Sequence, residues 1–112
     1  MDRFKVGIAD AISALGKETD KNFTVLIKDG VMSIEYFAPK NIDTQQPHLQ
    51  DEIYVIASGS SQFFRDGEIV GCNKGDVIFV PAGMEHRFMN FTDDFATWVI
   101  FYGQEGGKRS GQ

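Results

Sequence analysis

The sequence predicts an all-β domain, an antiparallel sandwich or barrel with one short N-terminal helix. Three observations point there. The pairs Asp29-Gly30 and Asp66-Gly67 each stand between β-branched and aromatic runs, a strong short-range hairpin signal. From Phe23 onward such runs follow one another, punctuated by turn residues and with no helical stretch between them, which argues against an α/β fold. Ten Phe, three Tyr and one Trp in 112 residues favour a β-rich interior.

The elements follow in chain order. Phe4, Ile8, Ala11 or Ile12, and Leu15 recur at helical spacing before Gly16, so a helix is expected within residues 1–16, packed on the sheet or on a partner subunit. FTVLIKDGVMSIEYF reads as the first hairpin, and APKNIDTQQP as a polar connection. HLQDEIYVIASG reads as a strand ending at Ser58-Gly59, and SQFFR and EIV form the second hairpin. VIFV is opened by Gly75-Asp76 and broken by Pro81-Ala82-Gly83, HRFMNF and FATWVIFYG follow, and the Gly-rich tail 103–112 is expected to be loose. No internal repeat or linker divides the chain, so residues 1–112 are read as one domain with its core at about 23–102.

Charge and composition exclude several function classes. A formal net charge of −5 and a sequence pI of about 4.8 speak against nucleic acid, whose backbone demands clustered Lys and Arg. A helix-turn-helix module would need a second helix. Cys72 is the only cysteine, which rules out an internal disulfide and is read as a small residue beside a turn. No apolar run approaches the roughly 18–20 residues of a membrane span, and the first fifteen residues are too polar for a signal-peptide core. A soluble, cytoplasmic protein is the expectation.

The chemistry rests on two histidines, His48 and His86. If the strand begins at Gln46, alternation puts Gln46, His48, Gln50, Glu52, Tyr54 and Ile56 on one face. His86 begins a separate strand, with Phe88 and Asn90 on its parity. Two imidazoles, a carboxylate and an amide oxygen form a set suited to a borderline divalent ion, with positions left for water or substrate. The same residues also read as a hydrogen-bonded core histidine pair with Glu52 at a wet barrel mouth. Phe79, Phe88, Trp98, Phe101 and Tyr54 are candidates for cavity walls or simply for core. Arg65 and Arg87 are placed at the surface.

GDVIFVPAGMEHRFMN resembles the second signature motif of the cupin superfamily, G-x5-P-x-G-x2-H-x3-N, at Gly75, Pro81, Gly83, His86 and Asn90. QPHLQDEIYVIASG resembles the first, H-x-H-x3-E-x6-G, at His48, Glu52 and Gly59, with Gln46 where the family usually has a histidine. The resemblance implies a jelly-roll barrel, often dimeric, and a divalent transition metal (Zn, Fe, Mn or Ni) held by Gln46, His48, Glu52 and His86. Gln46 is similar in placement to the amide in the zinc site of type I phosphomannose isomerases, themselves cupins; Gln50 is the alternative fourth ligand. The family further implies a small-molecule ligand or substrate and a homodimer. On this reading the protein is a metal-dependent enzyme of dioxygenase or isomerase type, with Glu52 and Tyr54 as candidate catalytic residues. The alternatives are a non-catalytic sensor or binding barrel, and a metal-free pocket for an organic ligand.

Overall fold

The computed structural model describes residues 4–106. Within them lie helix α1 (Ile8–Gly16) and eight strands: β1 (Phe23–Asp29), β2 (Met32–Phe37), β3 (Asp51–Ser58), β4 (Ser60–Arg65), β5 (Glu68–Asn73), β6 (Val77–Val80), β7 (His86–Met89) and β8 (Ala96–Tyr102). They form a five-stranded sheet in the order β1-β2-β8-β3-β6 and a three-stranded sheet in the order β5-β4-β7. All pairings are antiparallel. The expected all-β jelly-roll architecture is present, although the two sheets do not close on each other, so it is a barrel only approximately. The expected loose tail lies, from residue 107 onward, outside the described residues, as do residues 1–3.

Both Asp-Gly signals mark hairpins, and the register shows how. At the second, Arg65 pairs with Glu68 and the two residues between them, Asp66 and Gly67, have φ of 47° and 86°. Two successive positive φ values define the type I′ turn whose twist suits a hairpin. At the first, Asp29 already pairs with Met32, so the turn residues are Gly30 and Val31.

The helix is shorter than the apolar spacing suggests. It starts at Ile8, where the Asp10 carboxylate accepts the Gly7 N–H at 2.9 Å and so satisfies one unpaired donor of the first turn. Phe4 precedes it and is exposed. Ala11 and Leu15 pack on the outer face of the larger sheet, against Tyr36, Ala57, Ala96 and Trp98. Trp98 therefore belongs to this outer layer, meeting Tyr36 edge-on with centroids 5.3 Å apart. Among the described residues no helix is long and apolar enough to cross a membrane.

The main core lies between the sheets. Tyr54, Ile56, Val80 and Val99 from the larger sheet meet Phe63, Cys72 and Phe88 from the smaller, with Phe95 alongside. Cys72 is thus a core residue, and burial pushes its thiol pKa up. The chain passes from one sheet to the other at Gly59, between β3 and β4, with φ 70°. A Cβ there would strike the Thr92 hydroxyl and lie 2.7 Å from Asp94 Oδ1 and 2.8 Å from Phe95 Cα. Only glycine fits this crossing.

Candidate metal centre

Strand β3 begins at Asp51, five residues later than the alternation from Gln46 requires. Residues 38–50 form an irregular loop. Pro47 has no N–H to give a ladder, the His48 carbonyl accepts from Gly83 N–H at 2.8 Å, and the Gln50 side-chain amide donates to the carbonyls of Val31 and Gly103 at 2.6 and 2.9 Å. Face parity therefore holds from Glu52 onward and not before. Glu52, Tyr54 and Ile56 alternate into the core as expected, all buried.

The loop nevertheless carries His48 to Glu52. His48 Nδ1 lies 2.8 Å from Glu52 Oε1, and His86 Nε2, from the start of β7, lies 2.9 Å from the same oxygen. The two imidazole centroids are 5.2 Å apart. Glu52 and His86 are almost fully buried, while His48 keeps about a third of its side chain (32%) exposed. His48, Glu52 and His86 thus form one cluster whose ligand atoms all lie within 4.8 Å of one another.

Protonation follows from the partners. His86 Nδ1 faces the Met84 carbonyl at 2.8 Å; a carbonyl only accepts, so Nδ1 carries a proton and a neutral ring presents the bare lone pair of Nε2 toward Glu52. Nε2 approaches the carboxylate without hydrogen-bond alignment, and Glu52 Oε2 has no hydrogen-bond partner among the described residues. Two buried acceptors left so are costly unless a proton or a cation joins them. Two imidazoles and a carboxylate, with a carbonyl orienting one ring from behind, are the donor chemistry of a divalent transition-metal site. The residues fit such an ion.

Burial alone would raise the Glu52 pKa, but hydrogen bonds and charge from His48 and His86 outweigh it and hold the carboxyl below its ordinary range. Burial likewise works to lower His86, and Glu52 with the Met84 carbonyl reverses the effect and raises it. Both directions belong to the metal-free cluster in which a proton, in place of a cation, joins His86 Nε2 to Glu52. Tyr54 is pushed well up, by burial first and then by the Glu52 charge, so its hydroxyl stays protonated.

The fourth expected ligand lies elsewhere. Gln46 is exposed on the loop, and its neighbour Gln45 lines the cavity beside His48. Gln50 is committed to the two carbonyls already named. Gln45 is fixed by Asp43: its backbone N–H and side-chain amide donate to Asp43 at 3.1 and 2.7 Å, and its Oε1 accepts the Tyr54 hydroxyl at 3.0 Å. Buried Asp43 also accepts the Phe88 N–H at 2.8 Å, tying the loop to β7. Sequence reasoning missed Asp43 and Gln45. The available signal was the Asp-x-x pattern, whose carboxylate bonds its own backbone two residues on.

A cavity of about 350 Å³ opens beside His48, walled by Phe23, Phe37, Val99 and Phe101 and carrying Glu35 and Gln45 as its other polar groups. Of the expected wall residues, Phe101 lines it, Tyr54 and Phe88 belong to the core, and Phe79 is largely exposed. Arg65 and Arg87 lie toward the surface, Arg65 donating to the Phe79 carbonyl and Arg87 stacking over Phe64. Asn90, at φ 52°, closes β7 with its amide on Gln62 Oε1, the structural role expected of it.

Comparison with known proteins agrees with this geometry. Residues 33–102 match the model of the cupin domain. An uncharacterized protein of Streptomyces coelicolor is 30% identical over 94 residues, which cover 82% of this chain and 90% of that one. The acireductone dioxygenase of Drosophila melanogaster is 40% identical over 57 residues, 46% of this chain and 31% of the dioxygenase, so the chain spans about a third of that enzyme's length. Among solved structures, a cupin-2 domain-containing protein from Shewanella frigidimarina superposes with a TM-score of 0.67 at 15% identity, over 85% of this chain and 91% of that one. With the matching residues reaching from β2 to the end of β8 and including His48, Glu52 and His86, the chain belongs to the cupin domain family.

Proposed function

We propose that this protein is a metal-dependent enzyme acting on a small molecule, with His48, Glu52 and His86 holding one divalent transition ion at the inner end of the cavity. The observation that carries this reading is a pair of buried polar atoms, Glu52 Oε2 and His86 Nε2, without a hydrogen-bond partner among the described residues, within a cluster of three ligand-bearing side chains. When bound, such an ion supplies Lewis-acid polarisation of a substrate oxygen, and iron adds redox chemistry with dioxygen. Around it the chain's own groups have distinct work. The Met84 carbonyl fixes the His86 ring, Glu52 presents a charged oxygen between the two imidazoles, and Tyr54 holds Gln45 at the cavity wall. The cavity beside His48 has mostly apolar walls, Phe23, Phe37, Val99 and Phe101. The likeness to acireductone dioxygenases supports a dioxygenase-type reaction. Gln46 is left out of the ligand set because it is exposed.

A second reading, a binding barrel without turnover, is supported by the ready hydrogen-bond distance of 2.8 Å between His48 and Glu52, which needs no metal. Elemental analysis of untagged protein separates the two. About one equivalent of Fe, Zn, Mn or Ni is expected in the wild type, lost in His48→Ala/His86→Ala and unchanged in Gln46→Ala. A wild type that stays empty after reconstitution with each of these ions would sink the metal reading.

A further inference from the structure

Glu35 has no part in the proposed metal set, yet it faces the same cavity. On β2 alternation puts Ser33, Glu35 and Phe37 on the inner face. Glu35 pairs across with Val99 on β8, and Val99 pairs with Tyr54 on β3. The three form one row across the sheet. Glu35 is half-buried, and the hydrogen bond it receives is from the Ser33 hydroxyl, at 3.1 Å to Oε2. Among the described residues no Lys or Arg lines the cavity.

A desolvated carboxylate facing apolar walls is unfavourable unless a cation meets it. Burial first, and the Glu52 charge with it, raises the Glu35 pKa; the Ser33 hydroxyl and the charges of His48 and Lys28 offset this only in part. Packing alone would favour an apolar residue here, as at neighbouring Phe37 and Val99. The walls add a second preference: aromatic rings such as Phe37 and Phe101 attract cations to their negative faces, and the Phe23 ring already carries the Lys21 ammonium 5.7 Å from its centroid. A volume of about 350 Å³ is at the small end of ligand sites.

We propose that this cavity binds a small organic cation, an ammonium group on a short apolar body, with Glu35 as its counter-charge and the three Phe rings as its wall. The inference takes from the proposed function the reading of the cavity as a small-molecule site, and it needs no metal. The test uses three probes that share a tert-butyl body, tert-butylammonium, tert-butanol and pivalate, titrated into metal-free and zinc-loaded protein and followed by amide NMR shifts. tert-Butylammonium should bind about tenfold or more tighter than either other probe, with shifts centred on Glu35, Phe37 and Phe101. Glu35→Gln should remove the preference, while Glu35→Asp keeps part of it. Equal affinities in the wild type, a preference for pivalate, or selectivity that survives Glu35→Gln would each overturn the proposal. Should Glu35→Gln fail to fold, the wild-type probe ranking and its loss in Phe37→Leu decide it. Metal content is read separately, so an empty metal site with cation selectivity intact counts against the metal alone.

Discussion

Asp43 is 4% exposed and receives three N–H donors: Gln45 N at 3.1 Å, Gln45 Nε2 at 2.7 Å and Phe88 N at 2.8 Å. Replacing it by alanine strands all three, but unequally. The Gln45 groups sit on a half-buried loop and regain water, so their loss is modest. Phe88 is 1% exposed, and its orphaned N–H alone costs about 1–3 kcal/mol. With hydrogen bonds to an ionised acceptor at about 1.5–3 kcal/mol each before that recovery, Asp43→Ala should destabilise by about 3–5 kcal/mol. Asp43→Asn is the control. Its oxygen can keep the two donors that share Oδ2, leaving only the Gln45 backbone N–H opposite an amide, for about 1–2 kcal/mol. Urea denaturation gives both values, and hydrogen exchange at Phe88 should accelerate in Asp43→Ala more than in Asp43→Asn. The same bonds hold the loop that carries His48, so Asp43→Asn, which still folds, should bind metal more weakly. A cost below about 1 kcal/mol for Asp43→Ala, or equal costs for the two variants, would refute the assignment of Asp43 as the clamp between loop and β7.

Stability of the metal-free protein should show the Glu52–His86 pair. Glu52 is depressed, so its contribution is present above the unfolded value of about 4.3 and fades as pH falls through the lower folded value; His86 is raised, so its contribution is full below about 6.5 and fades as pH rises through the higher folded value. Thermal melts should therefore peak between those limits and flatten on the alkaline side in His86→Gln. Gly59→Ala should lose about 3 kcal/mol or more, because a Cβ meets Thr92, Asp94 and Phe95 at positive φ. Gly30→Ala, with positive φ and open space, should lose about 1 kcal/mol, and comparable losses would contradict the steric argument. Cys72, buried and with a raised pKa, should resist iodoacetamide in the native state and react fully in urea.

What the sequence discloses here depends on how local the cause is. Asp66-Gly67 dictates its own turn through two positive φ values, and Glu52, Tyr54 and Ile56 dictate a buried face by alternation, so both were legible. His86 was legible because the Pro81-Ala82-Gly83 turn and the strand after it are contiguous. The loop 38–50 has no period to read. Its course is set by distant partners, Gly83 on the His48 carbonyl and Phe88 on Asp43, and parity counted through it puts Gln46 on the ligand face, whereas Gln46 is exposed and Gln45 lines the cavity. Tyr54 reads as a candidate catalytic residue, and its hydroxyl holds Gln45. Glu35 escaped notice for a different reason: one acid in an apolar strand looks like a solvent-facing residue until the partner strand is known.

The placement of these groups also explains why a loop and not a strand brings His48 to the site. Glu52 lies opposite Phe101 in the register of β3 on β8, and Phe101 opposite Ser33 in that of β2 on β8. A His48 lying in a longer β3 would stay in that ladder, on the sheet surface, and its ring could not turn back onto the Glu52 carboxylate. Released from the ladder by Pro47 and held at its carbonyl by Gly83, it folds over the start of β3, and its ring packs edge-on against Phe101 at 4.9 Å while Nδ1 reaches Glu52. The ring then forms part of the cavity wall as well as of the cluster. The His48–Glu52–His86 cluster at one side and the carboxylate-bearing aromatic pocket at the other thus meet at a single partly exposed imidazole, that of His48.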